Sequence, residues 1–72
     1  MSARAETDRA EGLAFLSLAK RQHRYSWEYR RWALEAERAG NLTAYNKYRA
    51  EARKLWRDAR EHLKFARSRL HG

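Results

Sequence analysis

Residues 39–41 read Ala39-Gly40-Asn41, and this triplet decides the fold. It is the one turn signal between two long helical patterns. Gly40 is suited to the left-handed conformation that ends a helix, and Asn41 to capping the next one. The chain therefore reads as an all-α protein: an antiparallel hairpin of two long helices within a single domain, 1–72. Helix 1 is expected over about 7–39, the turn at 40–41 and helix 2 over about 42–70.

Upstream of the turn, residues 1–6 are polar and read as a frayed start. Thr7 or Asp8 is placed to cap helix 1, and Glu11 in its first turn favours the helix dipole. Gly12 is a weak point inside the helical pattern. From there Phe15, Leu18, Gln22, Tyr25, Tyr29, Trp32, Ala36 and Ala39 recur at alternating steps of three and four, the spacing of a helix-packing seam. At 1.5 Å per residue this helix spans about 50 Å. A break near Arg24–Ser26, giving three helices, is the alternative.

Downstream, the seam of helix 2 runs Tyr45, Tyr48, Ala52, Leu55, Ala59, His62, Ala66, with Phe65 on one flank. Folding back at Gly40 pairs positions whose numbers sum to about 81. Tyr29 then meets Ala52, Gln22 meets Ala59 and Phe15 meets Ala66, so large residues face small ones, as interdigitation requires.

The 72 residues carry 17 Lys and Arg against 9 Asp and Glu, a formal net charge of +8. Such a balance points to nucleic acid, a membrane surface or an acidic protein as partner. The charge is concentrated in helix 2, where Arg49, Arg53, Arg57, Arg60, Lys64, Arg67 and His71 follow steps of three and four. At about 100° per residue they lie within about 40° of one line, and the stripe is about 33 Å long. Like charges at this spacing oppose the helix slightly, so their retention hints at use. On helix 1, Lys20, Arg24, Arg31 and Arg38 also align, but Glu28 and Glu35 stand beside them. That face reads as ordinary solvated surface laced with neutralising pairs.

A second set of residues remains outside the seams. Leu13, Leu16, Trp27 and Leu34 fall on the back of helix 1, and Trp56, Leu63 and Leu70 form an edge of helix 2. An exposed Trp in so small a chain suggests a contact. Edges of this kind could pair across a two-fold axis. A core of this size is marginal alone, and without cysteine no disulfide reinforces it. The hairpin is therefore expected to dimerise into a four-helix bundle or to dock on a partner.

No chemistry-bearing motif emerges. There is no Gly-rich phosphate loop, and Ser17, Ser26 and Ser68 sit within helices without a cleft. His23, His62 and His71 lack metal-ligand spacing, and His62 reads as a packed seam residue. The expectation is a non-enzyme with no cofactor and no metal.

No apolar run approaches the roughly 18 residues of a membrane span, and the start lacks the apolar core of a signal peptide. A cytoplasmic location is expected. The Arg- and Ala-rich composition hints at a GC-rich bacterium or its phage. Two functions compete. One is a nucleic-acid-binding module using Arg49, Arg53, Arg57, Arg60, Lys64 and Arg67. The other is a protein-interaction subunit (an adaptor, an inhibitor or a small structural component) using Leu13, Leu16, Trp27, Leu34, Trp56, Leu63 and Leu70. A membrane-surface role ranks third, because the seam is rich in Tyr and Ala, which suit packing rather than lipid.

Overall fold

A computed structural model of the chain describes residues 3–71. The outermost positions of the expected domain, 1, 2 and 72, lie outside the described residues. Two helices, α1 (Ala3–Arg38) and α2 (Leu42–His71), pack against each other, and no strand occurs among the described residues. The rod they form measures 58 × 12 × 12 Å.

The turn follows from its residues. Gly40 takes φ +75°, a conformation that disfavours residues with a Cβ. This lets Gly40 N–H donate to Glu37 O at 3.0 Å and Asn41 N–H donate to Ala36 O at 2.9 Å. Those two bonds satisfy carbonyls that the end of α1 would otherwise leave open. Asn41 then caps α2: its Oδ1 accepts from Ala44 N–H at 3.1 Å.

The N-terminal cap does not form where it is expected. α1 already begins at Ala3, and Thr7 lies inside it, its Oγ1 donating to Ala3 O at 2.9 Å. Threonine satisfied by the carbonyl four residues back can sit within a helix. Nor does α1 break near Arg24–Ser26. It is continuous, and the three-helix alternative falls.

The seam of α2 lies where the spacing puts it. Ala52, Ala59 and Ala66 are buried, and Tyr45, Tyr48, Leu55 and His62 are half-buried beside them. The seam of α1 is rotated from the expected one. The buried positions are Gly12, Ala19, Ser26 and Ala33, a strict seven-residue repeat of small residues. Phe15, Gln22, Tyr29 and Ala36 keep their seam role half-buried, whereas Tyr25 and Trp32 are exposed at 45% and 40%. Large residues at those positions would hold the helices apart, whereas the small repeat lets the backbones approach.

Gly12 shows how close the approach is. A Cβ there would lie 2.7 Å from Leu70 Cγ and 3.2 Å from Arg69 Cβ. Gly12 is thus a contact point of the seam rather than a weak point of the helix. The register agrees with the pairing expected from the turn. Gly12 meets Leu70, Phe15 packs on Phe65 at 5.5 Å, and Trp32 meets Tyr48 at 5.9 Å.

Polar groups in the seam are satisfied. Ser26 is 1% exposed, and its Oγ donates to His23 O at 2.6 Å. His62 Nδ1 lies 2.7 Å from Gln22 Oε1. A carbonyl oxygen only accepts, so the imidazole donates. The His62 ring also stacks on Phe15 at 5.8 Å.

With a core of Ala, Ser and Gly, adding volume should hurt more than removing it. Ala59→Leu or Ser26→Leu should each cost at least about 1–3 kcal/mol, the usual range for overpacking. Leu55→Ala, at a half-buried site, should fall at or below the lower end of the roughly 2–5 kcal/mol seen for fully buried leucines. Urea denaturation followed by circular dichroism checks the order, and a milder effect for Ala59→Leu than for Leu55→Ala would contradict this seam.

Candidate functional site

The rotation of α1 changes which surfaces are neighbours. When the seam runs through residues 12, 19, 26 and 33, the next positions round the helix are Leu16, His23 and Arg30, flanked by Leu13, Lys20, Trp27 and Leu34. The corresponding positions of α2 are Arg49, Trp56, Leu63 and Leu70, flanked by Arg53, Arg60 and Arg67. These two sets meet along one side of the rod. Trp27 and Leu34 are therefore not behind α1, and the basic stripe of α2 is not separate from them. The interaction edge and much of the basic stripe share one face.

His23 joins the two helices on this face. Its ring lies 4.6 Å from that of Trp56 and 6.3 Å from that of Trp27. Trp27 Nε1–H donates to His23 Nε2 at 3.3 Å. Arg30 completes the group, its guanidinium 4.9 Å from the centre of the Trp27 ring. That distance gives a cation–π contact worth about 0.5–1 kcal/mol at an exposed site.

Two adjacent grooves open on this face. The first, of about 330 Å³, is lined by Ser26, Arg30, Arg49, Ala52, Arg53 and Trp56. Small Ser26 and Ala52 leave the space, and the three guanidiniums come from both helices. The second, of about 250 Å³, is lined by Leu16, Ala19, Lys20, His23, Trp56, Arg60 and Leu63. Trp56 belongs to both, so one indole separates two cationic recesses. Neither lining includes a carboxylate.

All six basic residues proposed from the sequence are exposed. Their surroundings differ. Arg49, Arg53 and Arg60 line the grooves, whereas Arg57 and Lys64 stand further round α2 and Arg67 continues the row toward the open end. Arg49 also lies 5.8 Å over the Tyr45 ring. Of the proposed apolar contacts, Leu16 and Leu63 are half-buried groove residues. Leu13, Trp27, Leu34, Trp56 and Leu70 are exposed at 50%, 54%, 54%, 41% and 38%.

Sequence reading missed Arg30 and His23 and gave Lys20 no role, because each helix was read alone. The repeat of Gly12, Ala19, Ser26 and Ala33 was the signal that would have placed them beside α2. Two further expectations need correcting. Ser26 does lie at a cleft, as part of a groove floor. Glu28 and Glu35 do not form ion pairs: the two among the described residues join Arg69 to Asp8 at 4.0 Å and to Glu11 at 3.4 Å. Arg69 thereby ties the C-terminal end of α2 to α1 and lies outside the groove linings.

No helix is long and apolar enough to cross a membrane among the described residues. The chain matches no protein-family model, and no curated protein or solved structure resembles it at significant similarity.

The groove cations should be dispensable for folding. Arg49→Gln combined with Arg53→Gln keeps helix propensity and removes like charges four residues apart, so the melting temperature should hold or rise slightly. Trp27→Ala should cost much less than Ala59→Leu. A thermal melt by circular dichroism checks both, and a collapse of the Arg49/Arg53 variant would mean that these guanidiniums are structural.

Proposed function

We propose that this chain is a small, non-enzymatic, basic binding protein that contacts nucleic-acid phosphates. The observation that carries the reading is the convergence of Arg30, Arg49 and Arg53, from two helices, on a groove whose lining contains no carboxylate. Guanidiniums held without carboxylate partners present forked donors suited to phosphate oxygens. Arg57, Lys64 and Arg67 extend the field along α2 and add to phosphate contact. Binding of this kind is chiefly electrostatic and falls steeply with salt.

The exposed leucines of the same face favour a second reading. Leu13 and Leu34, near its two ends, are about half exposed and suit a protein contact. The partner is then an acidic protein surface or a second copy of the chain, pairing two hairpins into a four-helix bundle. Both readings place the protein in an intracellular setting, with no cofactor.

Binding of a labelled oligonucleotide by fluorescence anisotropy, across a salt series, tests the first reading. Affinity should drop steeply with salt. Arg53→Gln with Arg60→Gln should weaken it and reduce the salt slope by up to about 0.9 for each phosphate no longer neutralised. The matched control, Arg31→Gln with Arg38→Gln, removes equal charge from outside the grooves. Equal weakening by both pairs would reduce the site to net charge alone. No binding at low salt by the folded protein would leave the face to a protein partner, and sedimentation at micromolar concentration would then report whether that partner is a second copy.

A further inference from the structure

We infer that the strand held on this face is single-stranded, with a base stacked on Trp56 and neighbouring phosphates seated in the recesses on either side of it. This rests on the nucleic-acid reading and specifies its substrate class. Three observations support it. Trp56 is 41% exposed and forms a wall common to both grooves. On one side of it lie Arg30, Arg49 and Arg53, and on the other Lys20 and Arg60, so cations bracket an aromatic surface. Trp27, 54% exposed and linked to Trp56 through His23, supplies a second aromatic surface on the same face.

Alternation of aromatic and cation is the pattern that single strands require. Their bases offer free ring faces, and their phosphates follow the backbone past each ring. A duplex keeps its bases stacked on one another and presents phosphates on a convex surface. It would meet Arg57 and Lys64, which stand further round α2, but would leave both indoles and the guanidiniums lining the first groove unengaged. A groove floored by Ser26 and Ala52 between two helices also differs from the single projecting helix that enters a major groove.

The test compares three labelled probes of about 16 nucleotides, within the span of known single-strand sites. These are a mixed-sequence single strand, its duplex, and an abasic strand with the same backbone charge. The single strand should bind more tightly than both others, by about fivefold or more over the abasic strand, the lower end of what one stacked base contributes. It should also quench tryptophan fluorescence, which the abasic strand should not. Trp56→Leu should abolish the advantage over the abasic strand. Trp56→Tyr, which keeps a ring, should restore part of it, and Trp32→Leu on the opposite side should change nothing.

Equal affinity for abasic and ordinary strands, or a preference for duplex, overturns the inference while leaving the nucleic-acid reading intact. Failure of all three probes to bind the folded protein at low salt overturns both. Were Trp56→Leu to unfold, the quenching and affinity comparisons on the unaltered chain would still decide.

Discussion

Close approach of two helix backbones is the constraint on which the rest of this structure depends. It is possible because Gly12, Ala19, Ser26 and Ala33 on α1 and Ala52, Ala59 and Ala66 on α2 are small and recur at seven-residue intervals. Such a seam buries little apolar surface per residue, so it is stabilised along its edges as well. Phe15 and Phe65, Tyr29 and Tyr48, and Gln22 and His62 close over it from one side, and His23 and Trp56 from the other. Rings lying across a narrow seam recover contact area that the seam itself lacks.

The same constraint sorts charge. Once the seam is fixed, Lys20, Arg30, Arg49, Arg53, Arg60 and Arg67 fall on one side of the rod. Asp8, Glu11, Glu51 and Asp58 fall toward the other. Glu28, Glu35 and Glu61 lie further round among Arg21, Lys47 and Lys54, and Glu6 and Glu37 stand at the two ends of the basic side. Much of the excess positive charge therefore lies on the face that also carries the exposed indoles of Trp27 and Trp56. A field of one sign over an open groove raises the local concentration of an oppositely charged partner and speeds encounter.

The turn and the existence of two helices were legible because Gly40 and Asn41 are local signals that act through their own backbone bonds. The seam of α2 was legible for a similar reason: its alanines alternate with Tyr48, Leu55 and His62 at unbroken helical spacing. The seam of α1 was half legible. Tyr25 and Trp32 drew the reading toward hydrophobicity, while the packing followed size, and a buried serine and glycine carry no hydrophobic signal. The candidate site shared that fate. Each half of it was visible as a stripe or an edge, but their adjacency depends on which positions of α1 touch α2.

The three tryptophans provide the most direct test, because Trp27 and Trp56 share the groove face while Trp32 lies on the other flank against Tyr29 and Tyr48. Each indole N–H gives its own proton resonance, assignable by substituting one Trp at a time. Titration with a single-stranded oligonucleotide at low salt should shift the Trp27 and Trp56 signals together and leave Trp32 in place. A shift of Trp32 equal to theirs, or saturable binding that moves none of the three, would contradict a single binding face built from both helices.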